Sequence, residues 1–284
     1  MKRCRVEGGK GFHLADHASD DKGDLELDKA DAGDLLRDGV QRLSGLQERL
    51  YASGQWSVLC VFQAMDAAGK DGAIKHVFSG VNPQGCEVES FKAPSTLEQR
   101  HDFLWRHAIR LPKRGHIGIH NRSWYEEVLV ARVHPGILES QPLPDAVRGP
   151  KIFEQRIEDI AAFERYLARQ GTVILKFFLN LGRDEQRERF LARINEPDKN
   201  WKFEAGDARE RRHWDDYMHA YEKAIRGTAA PHAPWYVVPA DRKWLTRLVV
   251  AEAIVEALEA LDLQYPTVSS AAREAMDSAH KELR

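Results

Sequence analysis

Val58-Leu59-Cys60-Val61-Phe62-Gln63-Ala64-Met65-Asp66-Ala67-Ala68-Gly69-Lys70-Asp71-Gly72-Ala73-Ile74-Lys75-His76 is the stretch on which the reading of this chain turns. Its first five residues are an unbroken apolar run, the pattern of a strand buried on both faces of a parallel sheet. The run breaks into small residues that end at Gly69-Lys70, and a helix opens there. Small side chains let backbone N–H groups point into one concavity, and the helix adds the positive end of its dipole. Lys70 supplies a compact positive charge for a phosphoryl oxygen. The segment reads as a phosphate cradle formed by Ala67, Ala68, Gly69, Lys70, Asp71 and Gly72.

Against the standard P-loop pattern, Ala64 stands where the first Gly belongs and Asp71 where a Ser or Thr would hold Mg²⁺. A Gly-Lys pair after a strand also opens ordinary helices. The acids decide between the two readings. Asp66 and Asp71 flank Lys70, and bare carboxylates would repel a phosphate unless a divalent cation lay between them. The expected cofactor is therefore Mg²⁺, with Mn²⁺ as its substitute.

Working outward, residues up to about Gly33 are rich in Gly, Asp and Lys and read as a flexible or surface-draped arm spanning 1–33. Asp34 begins an amphipathic helix with Leu36, Val40, Leu43, Leu46 and Leu50 at three- and four-residue spacing, facing the core or a partner subunit. Beyond the cradle, Cys86 to Phe91 is a second strand, and the capping box of Ser95 with Glu98 predicts a helix to Leu111. The strand His116 to His120 delivers Asn121, Arg122 and Glu126 to its carboxyl end, where open α/β sheets bind ligands. A helix over Ile152 to Leu167 closes at Gly171, and Thr172 to Leu179 is a fourth strand. An arginine-bearing helix follows over Asp184 to Ile194, then a loop, a helix from Asp207 to about Arg226, the strand Trp235 to Val238 and a helix from Lys243 to Leu261. Five strands alternating with helices predict a parallel, helix-flanked sheet in a domain over 34–262, with 263–284 as a tail.

Phosphoryl transfer is catalysed chiefly by placing cations around the moving group, so clustered charge is the signal to seek. Lys70 with Asp66 and Asp71 is one cluster. Asn121, Arg122 and Glu126 are a second, in the position of a Walker B strand end; the plain alternative is an i,i+4 ion pair worth about 0.3–0.5 kcal/mol. Arg183, Arg187, Arg189 and Arg193, followed by Lys199, Lys202, Arg209, Arg211 and Arg212, are a third. In kinases of small phosphorylated acceptors this region is a lid that excludes water, here approximately 183–212; the interleaved Glu185, Glu188 and Glu196 also suit a solvated face. His76, His101, His107, His116, His120, His134, His213 and His219 show no metal-ligand spacing, and no Gly-x-Ser-x-Gly elbow occurs.

With 284 residues, 43% hydrophobic and 30% charged, the chain has ordinary globular composition, and its formal net charge of −2 argues against a nucleic-acid binder while allowing a local anion site. Three cysteines read as reduced thiols in a cytoplasmic protein. No apolar run reaches the roughly 18 residues of a membrane span, and the N-terminus lacks the apolar middle of a secretory signal.

Seven ordered motifs together resemble the second family of polyphosphate kinases: Ala64 to Gly72, Ser79 to Gly85, Ser90 to Pro94, Asn121 to Glu126, Asn200 to Phe203, Trp214 to Tyr217 and His232 to Asp241. The likeness runs from about Leu35 to Leu261, and Glu126 after Ser-Trp-Tyr is similar to the branch acting on both nucleoside monophosphates and diphosphates. The resemblance implies a P-loop kinase fold like that of thymidylate kinase, with a helical lid, and inorganic polyphosphate in a basic channel across from AMP or ADP. It further implies that Asp66, Lys70 and Arg122 serve the transferred group, that Asp66 and Glu126 carry Mg²⁺, and that Arg189 and Arg193 are lid arginines. Lys75, Lys92, Lys199 and Lys202 are the implied polyphosphate contacts. Two departures, His120 where Phe is common and Trp124 where the branch often has His, bear on acceptor-side packing. The expected assembly is a homodimer or homotetramer. The competing readings are an ATP-dependent nucleoside monophosphate kinase on the same fold and a binding module without turnover.

Overall fold

The computed structural model describes residues 2–23 and 29–284. In chain order the elements are β1 (Arg5–Val6), α1 (Lys29–Ser53), β2 (Ser57–Ala64), α2 (Lys70–Val77), β3 (Cys86–Ser90), α3 (Trp105–Ala108), β4 (Ile117–Asn121), α4 (Val130–Val133) and α5 (Pro135–Ser140). The second half continues with α6 (Ile152–Arg169), β5 (Thr172–Asn180), α7 (Arg183–Asn195), α8 (Ala205–Glu210), α9 (Trp214–Thr228), β6 (Trp235–Pro239), α10 (Lys243–Glu259) and α11 (Ser270–Glu282).

The sheet order is β1-β6-β5-β2-β4-β3. The five expected strands are all parallel neighbours, and the sixth, β1, is an antiparallel two-residue addition on β6. Alternation along β2 divides the core in two. Val58, Cys60 and Phe62 face one cluster with Leu43, Leu46 and Leu50 of α1 and with α2 and α10. Leu59 and Val61 face the other, with Trp124, Tyr125, α6 and α9. The chain leaves β2 toward β4 and β3 on one side and returns to β5 and β6 on the other. This puts a topological switch point at the carboxyl end of β2, where the cradle lies.

Several expectations shift. The arm is docked along its described length: Val6, Phe12 and Leu14 are buried in the second cluster, and Leu14 N–H donates to Glu222 at 2.9 Å. These apolar side chains, the pairing of β1 with β6 and the bonds of Asn180 to His17 O and of Ser19 to Asp241 anchor an otherwise polar segment. Positions 24–28 of the arm lie outside the described residues. The apolar stripe of α1 is spent on the core, which removes it as an argument for a partner subunit.

The capping box at Ser95 and Glu98 forms, with Ser95 N–H donating to Glu98 at 2.7 Å, but the helix stops after one turn. Asp102 accepts from the N–H groups of Leu104 and Trp105 and starts the short α3 anew. The single helix expected from Asp207 is divided, as α8 and α9 meet across the turn Arg211–His213. The tail carries α11, capped by Ser269 and exposed throughout. No helix among the described residues is long and apolar enough to cross a membrane.

Candidate active site

The turn after β2 is held in a conformation that its residues do not choose freely. Gly69 takes φ +100°, which costs a glycine little, but Ala67 adopts φ +63°. Arg122, at the end of the adjacent β4, adopts φ +67°. Left-handed backbone at a non-glycine residue costs on the order of 1–3 kcal/mol and persists where the surroundings enforce it. Here the enforcing contacts are on both sides of the crevice. Arg122 N–H donates to Phe62 O at 3.0 Å, Lys70 Nζ to Ala64 O at 3.0 Å, and Asn121 Nδ2 to Asp71 at 2.6 Å.

These contacts aim charge at one place. The Arg122 guanidinium lies 3.2 Å from Asp66 and 3.4 Å from Glu126, and Gln63 Nε2 donates to the other Glu126 oxygen at 2.8 Å. Ser123 in turn donates to Gln63 at 3.4 Å. The Arg122–Glu126 pair therefore exists, but within a network rather than as an isolated surface pair. Asp66, Arg122 and Glu126 line a cleft of about 650 Å³, together with the apolar Met65, Val130, Ile137 and Tyr221 and the polar His134, Glu210 and Tyr217. Lys70 stands behind Ala64 and not in the cleft wall. Burial and the charge of Arg122 pull its ammonium below the ordinary lysine value, against the opposing pull of Asp66, Glu126 and Asp71. Burial acts likewise on Arg122, but Glu126 and Asp66 outweigh it and the net movement is upward.

The arginines expected in a lid divide. Arg189 is a buried tie, and its five N–H donors are all used: Nε on Glu185 at 2.8 Å, one terminal nitrogen on the carbonyls of Ala67 and Ala68 at 3.0 and 2.9 Å, the other on those of Ala240 and Asp241 at 2.6 and 3.1 Å. It fastens the cradle to the corner between β6 and α10, so it has no donor left for a phosphate. Gln186 adds a bond to Asp66 O at 2.9 Å. Arg193, one turn on, pairs with Asp207 at 3.0 Å. Arg183 and Arg187 are exposed, Arg187 beside Glu188 at 3.1 Å, and both lie near Arg211. Lys199 pairs with Glu196, and Lys202 lies 4.9 Å over the Trp201 ring. Lys75 and Lys92 are exposed and do not line the cleft.

His120 and Trp124 do not reach the acceptor side. Both are fully buried, in an aromatic cluster with Phe91 and His107 beneath the β3 edge. Conversely, the structure supplies groups that no spacing announced. His134, Glu210 and Tyr217 come from three elements, and only Tyr217 fell within a recognisable motif. Lys243 and Arg247 of α10 approach the outer side of the cradle. A Cβ on Gly72 would lie 3.9 Å from the Arg247 guanidinium, and burial, with the charges of Arg189, Lys199 and Arg247, pulls Lys243 below its ordinary value.

Among the described residues no three side chains of metal-ligating type gather in one place. A hard cation such as Mg²⁺ keeps several waters and takes oxygens from its phosphate ligands, so one or two carboxylates suffice. Asp66 and Glu126 face the cleft and fit that requirement, whereas Asp71 is engaged by Asn121.

Comparison with known proteins follows the same lines. The profile of the family described as polyphosphate kinase 2 matches residues 26–266. An ADP-polyphosphate phosphotransferase of Rhodopseudomonas palustris is 54% identical over 251 residues, covering 88% of this chain and 87% of its own. An AMP/ADP-polyphosphate phosphotransferase of Meiothermus ruber is 45% identical over 271 residues, covering 95% and 97%. The crystal structure of polyphosphate kinase 2 from Arthrobacter aurescens TC1 superposes with a TM-score of 0.87 at 40% identity, covering 96% of this chain and 95% of that one.

Proposed function

The chain belongs to the polyphosphate kinase 2 family, and from that premise we propose that it transfers phosphoryl groups from inorganic polyphosphate to AMP and to ADP, giving ADP and ATP. The observation that carries the reading is the convergence of Asp66, Arg122 and Glu126 on one cleft, with Lys70 directly behind its floor. The nucleotide enters this cleft with its phosphates at the Arg122 end. Polyphosphate approaches along the opposite, cationic side of the cradle, where Lys199, Lys243 and Arg247 gather.

A terminal phosphate oxygen of the nucleotide attacks the end phosphorus of the polyphosphate. One P–O bond forms as the bridging P–O bond breaks, and a polyphosphate shorter by one unit departs. The nucleophile is already an anion, so no general base is required, and the work of the protein is alignment and charge compensation. Arg122 and Lys70 offset the charge on the migrating group, and the backbone N–H groups around Gly69 hold it in line. Asp66 and Glu126 are the residues that would hold Mg²⁺, which when bound neutralises donor and acceptor oxygens together. With ADP as acceptor one phosphoanhydride replaces another, so concentrations set the direction.

Three free cysteines support a cytoplasmic setting, and a homodimer or homotetramer remains the proposed assembly. The deciding experiment incubates the protein with AMP, polyphosphate and Mg²⁺ without ATP and follows ADP and ATP by chromatography. Product formation is the expected result. Turnover of AMP only when ATP is supplied would replace the reading with an ordinary nucleoside monophosphate kinase, and tight binding without turnover would replace it with a binding module.

A further inference from the structure

The cleft is lined by two polar groups of different character. Around Arg122, cation and carboxylates mix. The other is a single carboxylate, Glu210, fixed from two directions: His134 Nε2 donates to it at 2.8 Å and the Tyr217 hydroxyl at 2.9 Å. Both bonds end on the same oxygen, Oε2. The second oxygen takes no hydrogen bond among the described residues, and Glu210 lines the cleft. Burial pushes the Glu210 carboxyl up, but its two donors outweigh that and hold it below the ordinary glutamate value, so it is charged at neutral pH.

An anionic acceptor of hydrogen bonds repels phosphate and binds O–H or N–H donors. It therefore addresses the part of the nucleotide that is not phosphate. Position selects which part. The Tyr217 hydroxyl, bonded to Glu210, is pushed up by burial and by Glu210, and also feels the charges of Glu126 and Asp66. Glu210 and Tyr217 line the same cleft as Asp66, Arg122 and Glu126, and the sugar is the first donor-bearing unit beyond a nucleotide's phosphate. A ribose presents two adjacent hydroxyls there, while the apolar walls at Val130 and Ile137 suit the flat remainder. We infer that Glu210, held by His134 and Tyr217, accepts the sugar hydroxyls of the nucleotide and makes the enzyme selective for ribonucleotides. This deepens the reading of the cleft as the nucleotide site and rests on it.

The test is calorimetric titration of the full-length protein with AMP and with 2′,3′-dideoxy-AMP, without polyphosphate. Wild-type protein should bind AMP at least about tenfold more tightly, the loss expected when hydrogen bonds to a charged acceptor are removed. In Glu210→Gln, AMP affinity should fall by about ten- to a hundredfold while that of dideoxy-AMP stays within about twofold. Tyr217→Phe keeps the carboxylate and removes one of its tethers. It should lower the AMP preference by about threefold or more, and it serves if Glu210→Gln fails to fold. Equal binding of both nucleotides by wild type, equal losses in the variants, or a change confined to AMP against GMP would each overturn the inference. Sugar selectivity that depends on Glu210 in a protein inactive with polyphosphate would keep the inference and remove the proposed reaction.

Discussion

Lys176 on β5 and Arg122 just past the end of β4 are both cations bonded to carboxylates, and their surroundings could hardly differ more. Lys176 is fully buried and donates to Glu164 at 2.6 Å, to Thr228 O at 2.7 Å and to the Tyr125 hydroxyl at 3.2 Å. The Tyr125 hydroxyl in turn donates to Glu164 at 2.7 Å and lies 2.8 Å from the Thr228 hydroxyl, and Trp235 closes the set by donating to Thr228 at 2.9 Å. Arg122 is 41% exposed at its side chain, its two acidic contacts are long, and its backbone is strained. The first cluster is complete within the protein. The second is left open, which suits the proposed phosphate site. Saturated charge is architecture, and unsaturated charge held in place by strain is what that proposal rests on.

The largest effect should come from breaking the closed cluster. Lys176→Met leaves Glu164 as an uncompensated buried charge, and unfolding in denaturant should show a loss of about 3–5 kcal/mol. The double replacement Lys176→Met with Glu164→Leu should recover most of it, because two charges desolvated together add little net stability. An unchanged midpoint for the single variant would erase the contrast. Breaking the open cluster should do the opposite, harming rate and sparing the fold. For Lys70→Ala the expected loss is about 10²–10³ in kcat, near 3–4 kcal/mol of transition-state stabilisation, with thermal unfolding shifted by a few degrees at most. Near-wild-type turnover there would take the cradle out of the mechanism.

An effect spread over pH separates the clusters from a third buried group. Burial, with the charges of His120 and Arg106, pulls His107 down to about 2, and burial alone pulls His120 down to about 4 despite its bond to Arg110 O. Both folded values lie below the unfolded one near 6.5, so the unfolded chain binds protons first as pH falls. Stability is complete above about pH 6.5 and declines below it at about 1 kcal/mol per pH unit for each ring, until about pH 4 for His120. Equilibrium unfolding from pH 7 to 4.5 measures this, and His120→Phe should flatten the slope. The smallest change should come from Arg42, whose exposed contacts to Glu252 and Glu259 join α1 to α10. Arg42→Ala should cost no more than about 1 kcal/mol by the same unfolding assay.

The cradle, Arg122 and Glu126 were legible because each rests on a local rule: an apolar run, a small-residue turn, a strand end. Glu210 and His134 obey no such rule. They are 76 positions apart and meet only after α8 has folded back across the cleft. Arg189 was visible as an arginine but not as a tie, since its four carbonyl partners lie on two loops that the sheet brings together. Strand β1 was too short for any alternation to reveal it. What sequence reading captures is the part of the site encoded within one element, and what it misses is encoded in the crossing of elements.

The tie at Arg189 also divides α7 by mechanical duty. Its first two turns are riveted to the core through Gln186 and Arg189, while beyond them Arg193 pairs with Asp207 and accepts, with Ile194, from Asn200. If the segment after residue 189 moves as the proposed lid, its pivot would fall just past Arg189, as a hinged flap turns on its pin. The turn after β2 is gripped by that same pin, so such a movement would not loosen it.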